Sequence, residues 1–388
     1  MKILFINLPY YGHVVPTLGL VKELIKRGNH VTYLMSFDWK QVVAVNGVAF
    51  AGYDNHKKLS EQIKNAYVAA EKIIDDYDLV VYEQFFFLGK HLAGKYDKPA
   101  VRIFTAPATN EKLMQEYIQA GVALGIFRHK WIGRLWTKDI LKDIGKDISM
   151  KTDCWLDEIV ENPPGLNLVY TLEEYQPYQK TFPEEQFKFL GASIYERDED
   201  KIELKVGERP LIYISLGTIV KGATAFFKKC IKAFRDEHVT VIMSVGKTFP
   251  MKKLGKIPDN FFVYSSVPQI SVLEKADVFV THGGMNSVSE ALLYGVPMVV
   301  IPFMADQPTN ARRVEELGLG RKLEYKKVDV ILLRNQVFSV LHDEDIQTKV
   351  ARMQLKMQNC PGNATGAEWI MKYYEEWNCS KVNPLHPG

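Results

Sequence analysis

The sequence predicts an α/β protein of two doubly wound domains, and three observations carry that reading. Short apolar and β-branched runs, long enough only for strands, alternate with segments of helical spacing, the pattern of a parallel sheet covered by helices. This alternation runs from the N-terminus to Phe104 and restarts at Leu211. Between the halves lies the charge-dense run Arg197-Asp198-Glu199-Asp200-Lys201, which has no apolar periodicity and reads as a linker.

In chain order, residues 2–8 are a buried strand ending in the loop Pro9-Tyr10-Tyr11-Gly12-His13-Val14-Val15-Pro16. Helical spacing follows over 17–27 (Leu18, Val21, Leu24, Ile25), with Gly28 as its C-terminal cap. Strands are expected at 30–35, 79–82 and 100–104, with apolar helical patterns between them. The second half gives strands at 211–215, 239–245, 261–264, 277–281 and 298–301, and a helix at 226–234. Near the end, 367–377 has helical spacing through Trp369, Ile370, Tyr373 and Tyr374. The expected division is 1–195, a linker at 196–208, 209–365, and a C-terminal helix and tail at 366–388.

A chain of 388 residues that is 47% apolar can bury two cores. Lys+Arg 49 and Asp+Glu 46 nearly balance to +3 and are interspersed, which gives no electrostatic basis for a nucleic-acid partner. The first apolar run is broken by Asn7 and Pro9, too early for a signal peptide or a spanning helix, so a cytoplasmic location without stable membrane insertion is expected. Cys154, Cys230, Cys360 and Cys379 are far apart, with no metal-ligand spacing, and read as reduced thiols. Asn363-Ala364-Thr365 matches a glycosylation sequon but has no secretory context.

Ligands of open α/β sheets sit at the carboxyl ends of the strands. There the second half carries Ser215-Leu216-Gly217-Thr218, Ser244-Val245-Gly246-Lys247, Val267-Pro268-Gln269 and His282-Gly283-Gly284-Met285-Asn286-Ser287. Taken singly, each is an ordinary strand-to-helix turn. Together they suggest an anion site, because two glycines before a helix let backbone N–H groups approach a phosphate closely. Asp306 and Gln307, after the next strand, add an acid and an amide suited to neutral hydroxyls, and phosphate beside hydroxyls suggests a nucleotide sugar. In the first half, His13 follows the first strand and either pins its loop by hydrogen bonds, the ordinary role of a lone loop histidine, or serves as a general base, since imidazole titrates near neutral pH.

Other chemistries fit less well. Asp-Glu-Asp occurs at 198–200 and 343–345, but neither run follows a strand, and both read as solvated charge rather than metal ligands. Gly246-Lys247-Thr248 resembles the end of a phosphate-binding P-loop, yet position 241 is Val rather than Gly. No GxGxxG follows the first strand, which argues against a dehydrogenase.

Nearly the whole chain, from the loop at 9–16 to Leu317-Gly318-Leu319-Gly320, resembles the inverting, nucleotide-sugar-dependent glycosyltransferases of family 1, including the bacterial macrolide and flavonoid enzymes. Val267-Pro268-Gln269, the stretch His282 to Ser287, and Ala305-Asp306-Gln307 carry the resemblance most specifically. It implies two facing Rossmann-like domains with a cleft between them (GT-B type), a UDP-sugar donor in the second, no metal and no other cofactor. It further implies that His282 bonds the diphosphate and that Asn286 and Ser287 cap the helix and touch phosphate. Ser215, Thr218, Gly246 and Gly284 would lie about the diphosphate, Val267 and Gln269 about the base, Glu290 by the ribose, and Asp306 and Gln307 on the sugar. His13 would be the base, and the C-terminal helix would pack back on the first domain.

Two positions depart from the family pattern. Glu83 stands where an aspartate partner for His13 is usual, and Ser266 stands where a tryptophan often stacks on uracil. UDP and TDP therefore both stay open as the nucleotide. The aromatic residues Met114 accompanies (Tyr117, Phe127, Trp131, Trp136 and Trp155) suit helix core for the most part, or the pocket of a hydrophobic acceptor such as a flavonoid, another phenol or a macrolide. Two further readings stand beside a glucosyltransferase: a binding-only accessory protein, suggested by Glu83, and an enzyme with a lipid acceptor, suggested by Arg128-His129-Lys130 beside Trp131.

Overall fold

The computed structural model describes residues 1–44, 47–119, 129–145, 148, 150–193, 208–217 and 223–382. It separates into one unit of Met1–Tyr195 with Cys360–Gly388, and a second of Glu196–Asn359.

The first unit runs β1 (Lys2–Ile6), α1 (Tyr11–Lys26), β2 (His30–Ser36), α2 (Lys40–Ala44), β3 (Ala49–Tyr53), α3 (Leu59–Glu71), β4 (Leu79–Glu83), α4 (Gly89–Lys95), β5 (Ala100–Phe104), α5 (Glu111–Gln119), α6 (Lys130–Ile144), α7 (Trp155–Glu161), β6 (Leu166–Val169) and β7 (Phe187–Phe189). All strands are parallel, in the order β3-β2-β1-β4-β5-β6-β7. β1, β4 and β5 are central, and their residues are buried on both faces except Lys2, which is why they are nearly all apolar, with Glu83 and Arg102 the buried exceptions. One core lies on each face of this sheet.

The second unit runs β8 (Leu211–Ser215), α8 (Thr224–Phe234), β9 (Thr240–Ser244), β10 (Phe261–Tyr264), α9 (Gln269–Leu273), β11 (Val278–Thr281), α10 (Met285–Leu293), β12 (Met298–Val300), α11 (Gln307–Glu316), β13 (Gly320–Lys322), α12 (Val330–His342) and α13 (Glu344–Gln358). Its parallel sheet has the order β10-β9-β8-β11-β12-β13. In both sheets the order reverses beside the first strand, β1 or β8, and such switch points open a crevice at the strand ends.

The last described element is α14 (Gly362–Val382), which belongs to the first unit. Ala367 and Ile370 are fully buried with Leu20, Val21 and Leu24 of α1. The expected boundary at 365/366 lies instead at 359/360, because Gly362 N–H donates to Leu190 O at 3.0 Å and Tyr170 donates to Asn363 Oδ1 at 2.8 Å. That bond also occupies the sequon asparagine with packing. The expected linker, apart from residue 208, lies outside the described residues.

The helix expected at 17–27 begins six residues earlier, at Tyr11. Tyr10 is the extended residue before it, and Pro16 is accommodated inside, lacking only the N–H that would reach back one turn. Gly28 ends the helix at φ +83°, with Asn29 N–H donating to Leu24 O at 3.2 Å. Strands β3, β6, β7 and β13 were absent from the sequence reading because they are short and interrupted by Gly, Asn167 or Lys. Among the described residues, no helix is long and apolar enough to cross a membrane.

Candidate functional site

In the first unit, β1 delivers the chain into α1, and His13 falls in the first turn of that helix rather than in a loop. Its position is fixed from beneath by Asn7, which is fully buried. The Asn7 amide donates to His13 O at 2.8 Å and to the Tyr33 hydroxyl at 2.9 Å. Tyr53 donates to Asn7 O at 2.8 Å, and Tyr33 bonds Thr17 at 2.7 Å. A buried polar network this fully bonded rigidifies whatever rests on it.

Glu83 ends β4, fully buried, with Oε1 2.8 Å from His13 Nδ1. The extra methylene relative to aspartate is accommodated, and the side chain reaches the imidazole. Glu83 Oε2 accepts from Phe85 N–H at 3.0 Å. Thr105, one residue beyond β5, lies 2.8 Å from His13 Nδ1 and 3.1 Å from Glu83 Oε1. A carboxylate only accepts, so its bond to Nδ1 places the hydrogen there and the imidazole lone pair on Nε2. Phe85 packs 4.6 Å from the His13 ring, centroid to centroid, and Tyr10 lies edge-on at 5.9 Å. Burial raises the Tyr10 pKa, partly offset by the bond to Gln62, so its hydroxyl stays protonated.

In the second unit, β11 leads through Gly283 and Gly284 into α10. Gly284 is the residue before the helix, and no side chain caps it. Asn286 and Ser287, expected as caps, lie instead inside the first turn, since the helix starts at Met285. The N–H groups of a first turn have no partner within the helix and carry its positive end. His282 lies against this turn, 7% exposed, and Nδ1 has no hydrogen-bond partner among the described residues. Burial pushes its pKa down to about 4, so the ring is neutral at pH 7. Two glycines make room for it: a Cβ at Gly217 would lie 2.6 Å from His282 Cε1, and one at Gly284 2.7 Å from Nε2.

The other expected donor residues divide. Ser215 ends β8, and its hydroxyl accepts weakly from Gly217 N–H at 3.4 Å. Gly246 turns at φ +95° with open space beside its Cα, and Val267 is buried before α9. Gln269 donates to Glu290 Oε2 at 2.6 Å and to Ser287 at 3.3 Å, so the residues expected at base, ribose and phosphate form one chain. Gln307 is 2% exposed, and its oxygen accepts from Phe303 N–H at 2.9 Å and Met304 N–H at 3.0 Å. That oxygen shapes the loop, where Ala305 is held at φ +55°, instead of reaching outward. Asp306, half-buried, accepts from Asn310 at 2.7 Å. Thr218 lies outside the described residues, as do Phe127 and Arg128.

Sequence reasoning missed Asn7, Thr105 and the Phe85 contact. Asn7 carried a signal, a polar residue closing an apolar strand, whereas a threonine after a strand carries none. Of the aromatic group, Met114, Trp136 and Trp155 pack in the core, and Trp131 is exposed beside His129. The second Asp-Glu-Asp run is structural: Asp343 caps α13 and Asp345 pairs with Lys349.

Two parallel sheets, each with polar loops gathered at its switch point, define a two-domain transferase of the GT-B class, and comparison with known proteins agrees. The profile of the family described as UDP-glucoronosyl and UDP-glucosyl transferase matches residues 196–359. NDP-glycosyltransferase YjiC of Bacillus subtilis is 34% identical, over 96% of this chain and 97% of that protein. Oleandomycin glycosyltransferase of Streptomyces antibioticus is 26% identical, over 93% and 88%. The crystal structure of CalG4, the calicheamicin glycosyltransferase, superposes with a TM-score of 0.82 at 29% identity, over 96% and 98% of the two chains. The chain belongs to the UDP-glucuronosyl and UDP-glucosyl transferase family and is a glycosyltransferase. As an enzyme, it does not fit the binding-only reading.

Proposed function

We propose that this enzyme moves a hexose, glucose from UDP-glucose, to a hydroxyl of a small hydrophobic acceptor with inversion at the anomeric carbon, using His13 as general base and no metal. The observation that carries this reading is the His13–Glu83 contact of 2.8 Å with the carboxylate fully buried. Nε2 takes the acceptor proton as the acceptor oxygen attacks the anomeric carbon opposite the diphosphate. The bond from that carbon to the diphosphate oxygen breaks, and the nucleotide diphosphate leaves with the electron pair. Glu83 stabilises the imidazolium formed. The first turn of α10 and a neutral His282, donating one N–H, offset charge developing on the departing phosphate. Asp306 accepts sugar hydroxyls from the loop that Gln307 shapes, and Gln269 and Glu290 serve the nucleoside.

The names of relatives that act on oleandomycin and calicheamicin favour a natural-product acceptor, a macrolide, flavonoid or other phenol. Ser266 is exposed where a stacking tryptophan would discriminate bases, so similar affinities for UDP and TDP are expected. Purified enzyme with UDP-glucose and a panel of phenols and macrolides should add one hexosyl mass, and His13→Ala should abolish the addition while UDP still binds. Transfer by His13→Ala at the wild-type rate would remove the base assignment. Binding of UDP without transfer to any acceptor would remove the proposed donor and acceptor.

A further inference from the structure

We propose that Thr105 is a positioning residue, which holds the His13–Glu83 pair in one geometry and one tautomer. The inference rests on His13 acting as the base. Thr105 is 3% exposed and stands where β5 ends beside β4, whose last residue is Glu83. Its hydroxyl reaches both members of the pair, at 2.8 Å from His13 Nδ1 and 3.1 Å from Glu83 Oε1. Only one assignment satisfies all three atoms. The hydroxyl has a single hydrogen, and Glu83 only accepts, so Thr105 donates to Oε1 and meets the His13 Nδ1–H as an acceptor. With the hydrogen fixed on Nδ1, the basic lone pair is fixed on Nε2.

A glutamate has one more rotatable bond than an aspartate, and freedom in it would blur the imidazole orientation. Here both oxygens are anchored: Oε2 by Phe85 N–H at 3.0 Å, and Oε1 by Thr105. The hydroxyl thus does for the longer side chain what shortness does for an aspartate. A purely packing role would be kept by valine, which preserves the β-branch and volume but not the bonds.

Thr105→Val should lower kcat/KM roughly tenfold or more, part of the hundredfold to ten-thousandfold that a general base supplies, and should displace the acid limb of the pH–rate profile. UDP affinity should stay within about twofold, and Thr105→Ser should recover most of the activity. In 15N spectra of wild-type enzyme above the His13 titration, Nδ1 should appear protonated and Nε2 not, and the two shifts should approach each other in Thr105→Val. Wild-type activity and unchanged shifts in Thr105→Val, with His13→Ala inactive, would overturn the role of Thr105 and leave the base assignment intact. Activity in His13→Ala would overturn both. An Nε2–H tautomer in the wild-type enzyme would overturn the inference whether or not Thr105→Val folds.

Discussion

A buried histidine whose Nδ1 has no hydrogen-bond partner among the described residues makes stability depend on pH. His282 titrates near 6.5 in an unfolded chain and is pushed down to about 4 when folded. At pH 7 the ring is neutral in both states, so its full contribution is present. Between about 6.5 and about 4 the unfolded chain takes up a proton that the folded chain refuses, and stability falls as pH falls through that window, by up to about 3 kcal/mol. Thermal melts from neutral pH to about pH 4.5 should therefore show a shallower loss for His282→Asn than for wild type, and equal slopes would contradict the burial argument. His282 was legible in the sequence because glycines follow it after an apolar strand. Glu83 was legible only through likeness to a family, since nothing within Leu79–Glu83 marks its last residue as facing a histidine 70 positions away. Thr105 was not legible at all. Its role lies in which atoms converge, and spacing along a chain does not encode that.

At the scale of elements, the strand–turn–helix from β11 to α10 joins the loops proposed to hold the donor to the fold. Gly284 has ordinary φ, so alanine suits the backbone there, but its Cβ would lie 2.7 Å from His282 Nε2. Gly284→Ala should displace the imidazole, weaken UDP binding roughly tenfold and cost about 1–3 kcal/mol, the usual range for overpacking. Calorimetric titration with UDP and a melt would check both, and unaltered affinity would mean that the ring does not serve the diphosphate. The central strands were read from sequence because burial on both faces leaves them nearly free of polar residues. β6 was not, because Asn167 breaks its apolar run, and only the structure shows that amide accepting from Arg102 at 2.8 Å. The start of α1 was missed for a related reason, since Gly12 and Pro16 favour a loop locally and packing against β1 overrides them.

At the scale of the molecule, the first unit is assembled from both ends of the chain. Ile370 of α14 is fully buried against α1, so Ile370→Ala should destabilise that unit by about 2–4 kcal/mol. A melt resolving two transitions should show the loss in one of them, and a second-unit transition shifted instead would contradict the assignment of the tail. The sequence indicated the two sheets and the terminal helix, but the boundary at 359/360 depends on hydrogen bonds to residues nearly two hundred positions earlier, which no local pattern carries. That return of the chain orders its birth on the ribosome. The second unit occupies 196–359 and emerges whole, while the first, though begun earlier, waits for residues 360–388. At typical elongation rates the wait is on the order of ten to forty seconds. During that time the face of α1 that Ala367 and Ile370 will cover stays uncovered.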